Sequence, residues 1–435
     1  VKAGEASMPH SSIVHDLRSA HSADALLTGV PLPTLLYFAL PIILGNIFQQ
    51  LYSIVDAIVV GNFLGDLPLS GISVASPIVD VANALVIGGT IGVGVLCAHY
   101  CGAGEGERLR CMNATALLGG GALTLLIALC GIFFSTPLLR AQGTEEAVCR
   151  EAAVYLQLVF AGLLFCFLYN YYAAMLRSCG NSRTPFLILL LSSTLHALLD
   201  VLFVGVFGWG IRGVAFSTVL CQALAAAACI LYAQRRCPPL LLRPANLRFD
   251  RQMARLVLSY AWAAALQQAV VCIGRLLVQG MLTPLGTSTV TGYNMSLRTE
   301  QFLFCFSQGI SAAMVVCLSQ NLGHGDRPRA RRFFRISVLV ELALIALLGT
   351  VCFLFPARIV GLFSDNADVI AAGAQYTGAM AYLYVFAYLG EVIQGFFRGL
   401  GRLRLTMVAS LLQVLLRVVL SYLLIPVWGM YGICA

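Results

Sequence analysis

Six carboxylates lie inside stretches that are otherwise almost wholly apolar: Asp56, Asp80, Asp200, Glu300, Glu341 and Glu391. A carboxylate at membrane depth costs about 2.5–3.5 kcal/mol on insertion scales, and such a residue usually marks a site. It either keeps its charge beside a bound cation or takes up a proton, and ion coupling needs one of these two behaviours. Asp56, within QQLYSIVDAIVVG (49–61), and Asp200 have the most apolar surroundings. Asp200 follows His196 by four residues, so on a helix the two share a face. The plainer role for an intramembrane Asp is a hydrogen bond to a neighbouring helix; for Asp80, Glu300 and Glu341 that is the better reading. Glu391 shares a face with Gln394. Arg275, Arg298 and Arg417 also fall in apolar runs, where guanidinium groups commonly snorkel or tie helices to backbone carbonyls.

The elements that must position these residues are membrane helices. The chain has 435 residues, 59% hydrophobic and 11% charged, with mean hydropathy +0.87; soluble chains carry roughly 25% charge. Apolar runs recur near 34–61, 70–100, 112–136, 150–176, 185–207, 213–234, 257–282, 290–320, 335–356, 370–396 and 406–427. Each is long enough to cross a bilayer as a helix and too long for a barrel strand. The net charge of +8 is topological. With the amino terminus inside, the clusters at 108–110, 177–183, 235–255, 327–335 and 398–404 face the cytoplasm. Only Arg140, Arg212 and Arg358 fall in outer loops, which is the positive-inside bias and argues against a nucleic-acid partner.

The sequence repeats. SGISVAS (70–76) aligns with TGYNMSL (291–297), CGAGEGERLR (101–110) with LGHGDRPRAR (322–331), and LRSCGNSRTP (176–185) with FRGLGRLRLT (397–406), all at one offset of 221 residues. A repeat of six helices keeps its orientation, so the halves are parallel repeats about an axis along the membrane normal. In this register Arg275 stands opposite Asp56 and Arg417 opposite His196. The expected organisation is a cytoplasmic tail (1–33), an N-lobe of six helices (34–235), a cytoplasmic linker (236–256) and a C-lobe of five (257–435). The helix at 213–234 has no counterpart before Ala435, so a twelfth helix is expected to be missing from this chain.

Other chemistry is scarce. His10, His15 and His21 sit in the tail, which reads as loose polar chain. The 15 cysteines show no metal-type spacing and read as small packing residues. No phosphate-binding loop occurs, and Lys2 is the single lysine, so ATP drive is not expected. His99, His196 and His324 lie on different elements and suggest no enzyme. Pro41 and Gly45 in ALPIILGN (39–46), and the glycines of VIGGTIGVG (86–94), are bend or close-packing points.

Three stretches resemble the bacterial multidrug and toxic compound extrusion (MATE) transporters: ALPIILGNIFQQLYSIVDAIVVGNFLG (39–65), CGAGE (101–105) and LRSCGNSRTP (176–185). So do LLDVLFVGVFGWGIRGVAFSTV (198–219), SQNLGHGD (319–326) and FRGLGR (397–402). The resemblance spans about 25–435. It implies an all-α, twelve-helix fold of two six-helix lobes around a central cavity, exporting organic, often cationic, compounds in exchange for Na+ or H+. It carries a coupling role onto Asp56, Asn170, Asp200 and Thr218, with His196 completing the polar pocket, and a sodium set at Asp56, Asn170, Asp200 and Thr218. His196 departs from the pattern, which has Asn there; imidazole nitrogen suits protons better than sodium. Thr406 departs where the amino-half loop has Pro185, with no function attached. Helix 7 offers Gln267, Gln268 and Arg275 but no acid, so coupling belongs to the amino lobe. The substrate cavity draws Tyr52, Tyr169, Gln268, Tyr293, Asn294 and Glu391. No cofactor is expected beyond the coupling ion. The expected setting is a monomer in the bacterial cytoplasmic membrane. A flippase for amphipathic anions, served by the three intramembrane arginines, is the alternative.

Overall fold

The structure, a computed structural model, describes residues 24–237, 240, 249–282, 287–362 and 366–428; within them the side chains at 52–57, 60, 66, 279, 282, 287–290 and 382 are not described. The tail and most of the linker therefore lie outside the described residues, as do residues 429–435.

Each apolar run forms one long helix. These are α1 (Pro31–Leu64), α2 (Asp66–Ala103), α3 (Gly106–Ala141), α4 (Glu146–Ser178), α5 (Arg183–Asp200), α6 (Ile211–Arg236), α7 (Arg251–Leu282), α8 (Thr287–His324), α9 (Arg327–Leu354), α10 (Ala367–Gly399) and α11 (Leu403–Trp428). All but α10 pass by length and hydropathy as straight membrane spans; α10 bends by 58° between Ala381 and Leu383. No strand occurs among the described residues. Lipid cannot satisfy backbone polar groups, so each run closes its own hydrogen bonds as helix. Leucines and phenylalanines such as Phe133 and Leu191 point outward, where lipid tails replace water.

The helices end on related turns. Gly104 and Gly180 have φ of +69° and +90°, and their repeat counterparts Gly325 and Gly401 have +89° and +74°. In each turn the residue after the glycine donates back into the last helical turn: Glu105 to Tyr100, Asn181 to Leu176, Asp326 to Asn321, Arg402 to Phe397. A Cβ disfavours this left-handed cap, which explains why the glycines recur at one spacing.

Among helices α1–α6, α4 packs against α2, α3 and α6, and α5 against α1 and α6. Helix α8 packs on α9 and α10, and α7 packs on α11. The two groups meet where α2 crosses α7 and α8, and where α1 crosses α8. At that meeting Val95 of α2, Ala263 and Ala264 of α7, Val315 of α8 and Leu403 of α11 form one buried cluster. The contact is backbone-close. A methyl at Gly88 would come 2.6 Å from the Ala264 carbonyl oxygen, one at Gly92 would collide with the Tyr260 carbonyl, and one at Gly102 with that of Gln320. Gly323 of α8 meets the His99 carbonyl of α2 in the same way. Across this seam Gln320 Nε2 donates to the Ser178 carbonyl at 2.6 Å. The contacts at Gly102, Gly323 and Gln320 lie beside the turns at 104–105, 179–182, 325–326 and 400–402, at the end of the bundle that carries the arginine clusters. Of the glycines in VIGGTIGVG, Gly88 and Gly92 thus act as close-packing points.

Candidate cation-coupling site

Helix α5 does not end cleanly. After Asp200 it widens into one π-helical turn, Val201–Val206, a feature frequent at functional sites. Gly208 and Gly210, at φ +64° and +61°, then reverse the chain into α6. Phe203 stacks on Trp209 at 4.9 Å and packs on Phe216 at 5.5 Å, which pins the end of α5 to the start of α6. The pinned hairpin brings the His196–Asp200 face of α5 against Ser217 and Thr218 of α6.

His196 and Asp200 are almost wholly buried, at 3% and 0% exposure. His196 Nδ1 lies 2.8 Å from Asp200 Oδ2, and Nε2 lies 2.9 Å from Thr218 Oγ1. Ser217 Oγ donates to Asp200 Oδ1 and sits 3.5 Å from His196 Nε2. Both hydroxyls also reach the Val214 carbonyl, at 2.9 Å each. Asp200 Oδ2 has no aligned hydrogen bond among the described residues; its close neighbour is the imidazole. The arrangement serves either imidazole charge state. A neutral ring takes the Thr218 proton at Nε2. A doubly protonated ring donates there instead, Thr218 turns its own proton to Val214, and the new charge faces Asp200. One proton can therefore enter with a hydroxyl rotation and no helix movement.

Ser217 was not singled out by the sequence reading. The paired hydroxyls at 217 and 218, one turn beyond the WGIRG reversal, are the signal that could have found it.

The other expected site residues are dispersed. The side chains of Asp56 and Tyr52 lie outside the described residues. The backbone register is nonetheless informative: Gly45 of α1 sits against Leu189 and Phe186, and Phe63 against Gly205. Between these contacts α1 and α5 run side by side, and position 56 falls level with the His196–Asp200 turn. Asn170 is not brought to the cluster. Its amide donates to the Cys166 carbonyl at 2.9 Å, and Cys166 Sγ contacts Asn83. Gly162 packs on Val219, so Asn170 lies about 12 Å further along α4 than the Thr218 level, at 1.5 Å per residue.

Of the expected cavity residues, Tyr293 is only 1% exposed and packs edge-on to Tyr376 at 5.2 Å, inside a core with Val278 and Ile425. A tyrosine in this position fills the core between α7, α8, α10 and α11. Tyr169 packs against the large α2–α4 core. Glu391 is engaged by Arg398, and Ser311 donates to the Glu391 carbonyl at 3.2 Å. Gln268 and Asn294 are partly exposed. The neighbouring Gln267 is the more connected residue, donating to Gln394 Oε1 at 2.6 Å and Ser410 Oγ at 3.0 Å. Arg275 is exposed within its span and lies within electrostatic reach of Asp80 on α2.

Comparison with known proteins accords with this architecture. The MatE family pattern matches the chain twice, at residues 41–202 and 263–423. The "Probable multidrug resistance protein YpnP" of Bacillus subtilis is 28% identical over 387 residues, covering 88% of this chain and 86% of that protein. The "FAD transporter" of Shewanella oneidensis is 26% identical over 346 residues, covering 77% and 75%. A solved structure described as "Crystal structure of MATE in complex with MaL6" superposes with TM-score 0.87 at 18% identity, over 95% of this chain and 93% of the other. With two family matches that together take in most of its length, and a fold of that kind, the chain belongs to the MatE family of membrane transporters.

Proposed function

We propose that the chain is a secondary antiporter that exports organic, often cationic, compounds, and that protons drive it through the His196–Asp200 pair. One observation carries the choice of ion: the imidazole occupies the space beside Asp200 Oδ2 at 2.8 Å. Sodium prefers hard oxygen ligands, and there it would meet a nitrogen. Of the four residues expected to hold sodium, Asp200 and Thr218 meet only through His196, and Asn170 stands apart. Relatives with multidrug names support the cargo class.

In this reading the N-lobe lies at 34–235, the C-lobe at 257–435, and the amino terminus faces the cytoplasm. The seam beside the basic loops then closes the cytoplasmic end, which makes this the outward-facing arrangement. A proton entering the His196–Asp200 pair from outside favours one orientation by its differential affinity for the two. Asp56, level with that turn on α1, is the second acid of the relay. Export of amphipathic anions is the weaker reading, because the relatives that match most of the chain carry multidrug names.

Efflux from proteoliposomes under separate proton and sodium gradients tests the proposal. Wild type is expected to export under the proton gradient and to ignore sodium. Asp200→Asn, which keeps the shape and removes the charge, is expected to abolish proton-driven export. Sodium-driven export by wild type, or an Asp200→Asn variant as active as wild type, overturns it.

A further inference from the structure

Cys97, Cys101 and Cys179 were read from the sequence as packing residues, yet their sulfur atoms all lie within 4.8 Å of one another. Cys97 and Cys101 are one helical turn apart on α2. Cys179 caps the C-terminus of α4, and its Sγ is 3.3 Å from that of Cys101. Cys97 is buried, while Cys101 and Cys179 are half-buried. No other group of three cysteine, histidine or carboxylate side chains converges in this way among the described residues. Most of the other cysteines, such as Cys149, Cys229, Cys317 and Cys352, stand singly in the core.

We propose that these three thiols form a binding site for one thiophilic divalent cation of the zinc class. Tetrahedral zinc–thiolate bonds of about 2.3 Å place sulfur atoms about 3.8 Å apart. The observed spacings, 3.3 Å for one pair and at most 4.8 Å for all, bracket that value, so small side-chain rotations suffice. Thiolates are the ligating form, and a bound divalent cation would neutralise two of their three charges. On the topology proposed above the site faces a reducing compartment, in which the thiols persist unpaired. Three thiolates leave a fourth position open to water.

The site is also well placed. Ser178, beside Cys179, accepts Gln320 across the seam and donates to the Gly94 carbonyl at 2.8 Å. Gly102, beside Cys101, lies against the Gln320 backbone. A bound cation would join the end of α2 to the end of α4 directly behind the seam. It lies at the other end of the bundle from the α5–α6 hairpin, so it is separate from proton coupling.

The test uses the full chain in detergent, reduced with a phosphine, desalted and titrated with Cd2+. The readouts are the thiolate-to-cadmium charge-transfer absorption and the metal retained after dialysis. Wild type is expected to bind one equivalent. Cys97→Ala, Cys101→Ala and Cys179→Ala are each expected to weaken binding by at least about tenfold, and the distant Cys352→Ala to leave it unchanged. Positions 101 and 179 are half-buried, so their variants fold even if Cys97→Ala does not. Wild type without the absorption band, wild-type affinity in Cys101→Ala or Cys179→Ala, or equal weakening in Cys352→Ala overturns the proposal.

Discussion

Asp200 is held by groups that differ in replaceability. Ser217 gives Oδ1 its hydrogen bond, and without it a buried carboxylate oxygen goes unsatisfied, a loss of about 1–3 kcal/mol. Ser217→Ala is therefore expected to lower the thermal unfolding midpoint in detergent and to slow proton-driven efflux, while Ser217→Thr retains most of both. An alanine variant with wild-type stability and efflux would mean that Oδ1 needs no partner. At this scale the sequence was informative where one helix decides the outcome. His196 and Asp200 share a face because they are four residues apart, and Thr218 follows from the family pattern. Asn170 shows where such reading stops. Periodicity fixes the face a residue occupies on its helix, whereas its depth depends on how α4 slides against α6, which Gly162 and Val219 decide. Cys97, Cys101 and Cys179 make the same point in the opposite direction: two were visibly one turn apart, but the third joins them only through tertiary packing.

Between elements, glycines set the distances. Helix α2 lies on α7 with Gly92 against the Tyr260 carbonyl. A leucine there must push the two helices apart, because a backbone carbonyl cannot swing aside as a flexible side chain can. Gly92→Leu is expected to reach the membrane in normal amount yet lose most of its drug efflux, since the seam at the basic end no longer shuts. Efflux assays on cells with matched expression check this, and undiminished export would show that the close approach is dispensable. The glycines of 86–94 were legible as packing points from composition alone. Which of them touch was not: Gly88 and Gly92 meet α7, while Gly89 faces open space. The α5–α6 hairpin was similarly half-legible. The gap between the apolar runs at 185–207 and 213–234 marked where the chain turns, but the π-helical turn after Asp200 has no sequence signature beyond the apolar run that contains it.

Over the whole molecule, the proposed function makes the seam a balance between two orientations, and its polar part is small. The hydrogen bond from Gln320 to the Ser178 carbonyl crosses between the two groups of helices. A single such bond contributes about 0.5–1.5 kcal/mol net, so its removal shifts a two-state ratio by about two- to twelvefold. In that reading coupling ions work on the same ratio, and they move it only by their differential affinity for the two states. Gln320→Leu keeps the volume and removes the donor. It is expected to raise the share of molecules open at the basic end without abolishing either state. Spin labels at Gly143, between α3 and α4, and at Arg358, beyond α9, sit at the far end of the two groups. Opening of the basic end brings that far end together, so the label-to-label distance distribution of Gln320→Leu should gain weight at short distances. Acidification should shift the distribution again, because in the proposed reading proton loading at His196–Asp200 acts on the same balance. A distribution identical to wild type at every pH would mean that the apolar cluster of Val95, Ala263, Ala264, Val315 and Leu403 alone holds the seam closed.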